Sequence, residues 1–127
     1  MADITRLLKP GYPMGERERL CRQYKERCGG IIVVNWLVTL RCNLRCSHCY
    51  VASPRESQEL STEESVKFIR HLGELGVPWM FLSGGEPLLR KDIEVILREL
   101  REAGIRVLLS TNGTLITPEI AKLINIV

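Results

Sequence analysis

The hydrophobic pattern of the chain changes period several times. Residues 31–40, IIVVNWLVTL, form an apolar run rich in β-branched and aromatic side chains with no helical repeat, and they predict a buried strand. From Ser61 the pattern turns helical. Ser61 and Glu64 have the spacing of a capping box, in which each side chain satisfies an orphan backbone N–H, and Val66, Ile69 and Leu72 then line one face before Gly73 and Gly76. VPWMFLS, residues 77–83, predicts a second strand. A second helix is predicted from about Lys91 to Ala103, with Ile93, Ile96, Leu97 and Leu100 on its apolar stripe and Gly104 as its stop. IRVLLS, residues 105–110, predicts a third strand, and Thr117 followed by Pro118 opens a third helix through about Ile124. The closing INIV, residues 124–127, resembles the start of a fourth strand.

Ahead of this pattern stands an arm, residues 1–30, irregular up to Gly15 and then a short charged helix from Glu16 to Cys28 closed by Gly29–Gly30. Residues 31–127 form the remaining unit. Strands alternating with helices predict βαβ units and a parallel sheet, hence an α/β fold of about three β/α units. In such sheets ligands bind at the loops leaving the carboxyl ends of the strands. Those loops carry RCNLRCSHCY (41–50), GGEP (84–87) and TNGT (111–114), so the three unusual segments converge on one edge.

Composition adds mainly exclusions. With 45% hydrophobic and 26% charged residues the chain is an ordinary globular sequence, and its net charge of +3 is too small and too evenly spread to point to nucleic acid. The opening MADITRLLKPGYP has no apolar signal core, and the apolar run at 31–40 is about half a membrane span and carries Asn35 and Thr39. A cytoplasmic location without membrane attachment is expected. In that reducing compartment, five cysteines without a secretory signal argue for metal or redox chemistry over disulfides.

Three of them, Cys42, Cys46 and Cys49, follow the spacing C-x3-C-x2-C. Three thiolates on one loop can hold three corners of a cubane iron–sulfur cluster and leave one iron open for a reactant. Zinc held by the same cysteines and His48 is the competing reading, although zinc motifs usually bring ligand pairs from two separated segments. Gly84 and Gly85 let backbone approach a ligand without Cβ interference, and carbonyls beside Glu86 suit a cationic ammonium, with Pro87 stiffening the exit. Asn35 either faces the interior of a barrel or is a satisfied buried amide. Cys21 and Cys28 read as packing cysteines, with a second cluster as the alternative.

The string CNLRCSHCY, followed by SGGEPLL and STNGTL, resembles the radical S-adenosylmethionine superfamily over about residues 33–127. Within it the style is most similar to the subgroup that modifies peptides and builds tetrapyrrole or quinone cofactors. The resemblance implies a partial TIM-type barrel and a 4Fe-4S cluster on Cys42, Cys46 and Cys49. It implies S-adenosyl-L-methionine on the open iron, cleaved reductively to a 5′-deoxyadenosyl radical by an electron from a ferredoxin- or flavodoxin-like donor. His48 matches a position that usually carries an aromatic residue against the adenine, and it either stacks there or faces solvent. Tyr50 is expected to pack beneath the loop. Gly84, Gly85, Glu86 and Pro87 match the family's cofactor-binding corner, and Ser110, Thr111, Asn112 and Gly113 match a stretch facing cofactor or substrate.

The family's later strands and C-terminal segments have no counterpart here, so the sequence reads as a fragment whose sheet would expose an apolar strand edge. A non-catalytic cluster- or zinc-binding module and an inactive remnant are the other readings. The substrate, an unknown peptide or small molecule, is not encoded in these residues.

Overall fold

A computed structural model describes residues 33–50 and 58–124, together with residues 19, 22, 23, 25, 26 and 30. At residues 19, 22, 23, 25 and 26 the backbone is helical, within the span expected for the arm helix. Cys21, Cys28 and the fourth-strand segment from residue 125 onward lie outside the described residues.

Three strands, β1 (Val33–Thr39), β2 (Trp79–Gly84) and β3 (Arg106–Leu109), lie in that order in one sheet, all parallel. Helix α1 (Thr62–Glu74) follows β1, α2 (Ile93–Glu102) follows β2, and α3 (Pro118–Ile124) follows β3. The βαβ reading of the hydrophobic pattern is therefore the observed topology. Register pairs Trp36 with Leu82 and Leu82 with Leu109, and a bulge between Leu37 and Thr39 brings Thr39 opposite Gly84.

One face of the sheet is buried under the helices. Val38, Met80 and Leu82 join Ile69 and Leu72 of α1 and Ile93, Ile96, Leu97 and Leu100 of α2, and Val34, Trp36, Val107 and Leu109 pack against this core. Each large apolar side chain so buried contributes about 1.5–3 kcal/mol, which outweighs the small differences in helix propensity. Trp36 meets Phe68 edge-on, with centroids 5.3 Å apart. On the opposite face Val33, Leu37 and Leu108 stay 44–52% exposed. Asn35 alternates with them and is exposed, so it is an amide of that open face and not a buried one.

The helix ends show why the boundaries fall where they do. The Ser61 side chain accepts from Glu64 N at 3.2 Å, and Ser61 N donates to the Glu64 carboxylate at 2.8 Å, so the capping box is complete. Thr117 Oγ1 accepts from Ile120 N and opens α3 as expected. Helix α2 starts two residues after Lys91. Its N-cap Asp92 makes no side-chain cap bond, because its carboxylate is taken by Arg90 and Thr62.

Arg90 is the polar centre of this region and is only 4% exposed. Its guanidinium donates to Val38 O at the end of β1, to Leu60 O and Ser65 Oγ at the start of α1, and to Asp92 at the start of α2. Its charge also lies 5.7 Å from the centre of the Trp36 ring. One side chain thus ties together three elements beneath the end of β1. No helix among the described residues is long and apolar enough to cross a membrane.

Candidate cofactor site at the carboxyl edge of the sheet

Because all three strands run the same way, the loops after Thr39, Gly84 and Leu109 open on one edge. The cysteine loop leaves β1 through a stem, residues 39–41, that is pinned from two sides. On one side lies the Gly84–Gly85 corner: Gly85 N donates to Thr39 O at 2.9 Å, and Glu86 N donates to Arg41 O at 2.8 Å. A Cβ on Gly84, whose φ is +150°, would sit 2.1 Å from Thr39 O, and one on Gly85 would sit 2.3 Å from Arg41 O. The two glycines are therefore required by close approach of the corner to the cysteine-loop stem. The close approach expected of these glycines is observed here between the corner and the cysteine-loop stem.

On the other side stands Glu59. Thr39 Oγ1 donates to its carboxylate at 2.5 Å, and Arg41 donates through Nε and Nη2 at 3.1 and 3.2 Å. Burial pushes the Glu59 carboxyl up, but the Thr39 and Arg41 bonds and the Arg41 and Arg90 charges outweigh it and hold the group below the usual carboxylate range.

Glu86 is fully buried, and its carboxylate accepts from Leu88 N (3.0 Å), Thr111 Oγ1 (2.8 Å) and Asn112 N (2.7 Å). The first bond caps a short 3-10 turn, Pro87–Leu89, that the hydrophobic pattern does not predict. The other two fasten the third loop to the second. Two of the three bonds that the Glu86 carboxylate accepts thus join the second and third loops. Pro87 is buried at the first position of that turn.

The third loop reaches back to the first. Asn43, between Cys42 and Cys46, donates from Nδ2 to Thr114 Oγ1 and accepts from Asn112 Nδ2, both at 2.8 Å. Ser110 N continues the sheet by donating to Leu82 O at 2.9 Å, and its side chain is exposed. Gly113 takes φ +78°, a left-handed turn position. Asn43 and Thr114 were missed by sequence reasoning. An asparagine beside a cysteine and a threonine after Asn-Gly carry no local signal for this contact, since Asn43 lies 69 and 71 residues from Asn112 and Thr114.

Cys42, Cys46 and Cys49 are exposed, free thiols. Leu44 N donates to Cys42 Sγ at 3.4 Å, and Cys49 N donates to Cys46 O at 3.2 Å, so Cys46 and Cys49 stand at the two ends of one turn with His48 exposed inside it. Among the described residues, no three His, Cys, Asp or Glu side chains are gathered closely enough to hold a metal ion. The donor set nevertheless fits an iron–sulfur cluster in kind. Three soft thiols, none in a disulfide, stand on an exposed loop whose stem is fixed and whose tip has no regular structure. Tyr50 does not pack beneath the loop. It is 77% exposed, and its hydroxyl lies 2.8 Å from Ser83 Oγ on β2, because a phenol can anchor by its tip while the ring stays in solvent.

Comparison with known proteins accords with this arrangement. An AdoMet-dependent heme synthase of Methanosarcina barkeri is 47% identical over 92 residues, which cover 71% of this chain and 26% of that protein. Mycofactocin maturase MftC of Mycolicibacterium smegmatis is 36% identical over 104 residues, covering 81% of this chain and 26% of the maturase. The chain therefore spans about a quarter of the length of these relatives. The crystal structure of Streptococcus suis SuiB bound to S-adenosylmethionine aligns with a TM-score of 0.64 over 94% of this chain and 30% of SuiB, at 18% identity. The shared fold makes the three-stranded sheet an open segment of a partial TIM-type barrel. The profile of the Radical SAM superfamily matches residues 36–125, which take in all three loops, and the chain belongs to that superfamily.

Proposed function

We propose that residues 31–127 are the N-terminal portion of the catalytic core of a longer radical S-adenosylmethionine enzyme, with residues 1–30 as an appended arm. Cys42, Cys46 and Cys49 would hold a 4Fe-4S cluster, and the corner formed by Gly84, Gly85, Glu86 and Pro87 would hold S-adenosyl-L-methionine at the iron they leave free. When bound, that pair supplies reductive cleavage of the sulfonium to a 5′-deoxyadenosyl radical. The chain's own residues do the positioning. Glu59 and Arg41 fix the stem of the thiol loop, and Gly84–Gly85 bring the second loop against that stem. Glu86 holds the third loop to the second. His48 is a stacking partner for the adenine, and Ser110 and Asn112 face the cofactor or substrate.

The observation that carries this reading is the stitching of the exposed three-thiol loop to the glycine corner by two backbone hydrogen bonds. The radical serves peptide modification or cofactor biosynthesis, such as that of a tetrapyrrole. A heme synthase and a mycofactocin maturase among the relatives, and a crystal structure of SuiB bound to the precursor peptide SuiA, support these substrate classes. The electron comes from a ferredoxin- or flavodoxin-like donor in the cytoplasm.

The test is anaerobic reconstitution with iron and sulfide, followed by reductant and S-adenosylmethionine. A brown protein that releases 5′-deoxyadenosine, and loses both properties in Cys42→Ser, Cys46→Ser and Cys49→Ser, is the expected result. A colourless protein that binds a single zinc would reassign the site to a structural metal. Cluster binding without 5′-deoxyadenosine would reduce the chain to a non-catalytic module.

A further inference from the structure

Three exposed side chains form a closed ring between the thiol loop and the third loop. Asn43 Nδ2 donates to Thr114 Oγ1 at 2.8 Å, Thr114 Oγ1 donates to Asn112 Oδ1 at 2.7 Å, and Asn112 Nδ2 donates to Asn43 Oδ1 at 2.8 Å. The direction of the ring is fixed. Thr114 N donates to Asn112 Oδ1 at 3.0 Å, so that atom is the oxygen and Asn112 must turn its Nδ2 toward Asn43. Asn43 can then present only its Oδ1 to Asn112 and its Nδ2 to Thr114. Every bond in the ring then pairs a donor with an acceptor.

The ring is also anchored. Asn112 N donates to the buried carboxylate of Glu86, so one side is tied to the core at the glycine corner. The other side is Asn43, the residue next to Cys42. From these contacts we infer that Asn43 is a positioning residue: through Thr114 and Asn112 it sets where the segment from Cys42 to Cys46 lies relative to the corner. This rests on the cluster assignment above. Because all three side chains are exposed, water replaces their bonds readily when the chain unfolds, and the ring adds little to global stability. Its consequence falls on the loop that it orients. Residues that orient metal ligands from outside the ligand set typically change metal affinity about 10–100-fold when removed.

The test uses reconstituted chain and follows iron release to a chelator under anaerobic conditions. Asn43→Ala and Thr114→Val should each speed release about tenfold or more. The double variant should match the singles, because both break one ring. Thr114→Ser, which keeps the hydroxyl, should release iron at the wild-type rate. All four should keep the wild-type urea midpoint in the metal-free form, and the electron paramagnetic resonance spectrum of the reduced cluster should broaden in the ring-breaking variants alone. Wild-type release rates in Asn43→Ala and Thr114→Val would overturn the inference while leaving the cluster reading intact, and so would a faster rate that only follows a lowered urea midpoint. A wild-type chain that takes up no iron would overturn the cluster reading itself, and the inference with it.

Discussion

Gly85→Ala puts a single methyl group into the contact on which the site is built. The added Cβ would sit 2.3 Å from Arg41 O, 2.7 Å from Arg41 C and 2.8 Å from Leu40 O. All three atoms are backbone, so no rotamer change relieves the overlap and the second loop must part from the stem. Separation breaks the bonds from Gly85 N to Thr39 O and from Glu86 N to Arg41 O. Each such bond is worth about 1 kcal/mol net, and overpacking costs about 1–3 kcal/mol, so the expected loss is about 3–5 kcal/mol. Urea unfolding followed through the fluorescence of Trp36 and Trp79 measures it, since both indoles belong to the strands that would separate. Gly113→Ala is the control. Its Cβ meets nothing within 4 Å, and only the left-handed φ of +78° resists it, at about 1–2 kcal/mol. A Gly85→Ala loss below about 1 kcal/mol, or one no larger than that of Gly113→Ala, would refute the packing argument.

Arg90→Met should cost about 3–5 kcal/mol in the same assay, because it leaves the Asp92 carboxylate without its main partner and Val38 O without its guanidinium donor. Acid should weaken the fold. The hydrogen bond and charge of Arg90 with the bond from Thr62 hold Asp92 below its ordinary range, and Glu59 is likewise held low, so both bind protons more tightly when unfolded. The stability they supply is complete above about pH 4–5 and falls as pH drops through their lowered values. An unfolding midpoint independent of pH between about 5 and 3 would contradict this, and Arg90→Met should flatten the dependence. Ser61→Ala should lose about 1 kcal/mol by opening the capping box, measured by thermal unfolding with far-ultraviolet circular dichroism.

Much of the fold was legible because local pattern and tertiary role agree. The apolar stripe of α2, the Ser61–Glu64 cap and the Thr117–Pro118 start each specify one element from residues within a few positions of one another, and parallel strands then bring the three loops to one edge. The site was legible as a location and less so as a mechanism of assembly. Glu86 reads as an acceptor beside two glycines, and its burial and its bonds to residues 25 and 26 positions later have no signal near it in the chain. Asn43 and Tyr50 take their roles from β2 and the third loop, and the 3-10 turn exists because Glu86 caps it. Such pairings depend on which strands are neighbours, which no period in the sequence encodes.

On the proposed reading, three loop thiols leave an iron open next to the glycine corner. Electron paramagnetic resonance of the reconstituted, reduced chain, recorded before and after addition of S-adenosylmethionine, tests it most directly. The expected result is a reduced cubane signal that shifts when the sulfonium cofactor occupies the open iron, and no such signal once Cys46 is serine. A signal that the cofactor leaves unchanged, or a protein that forms no cluster, would contradict it.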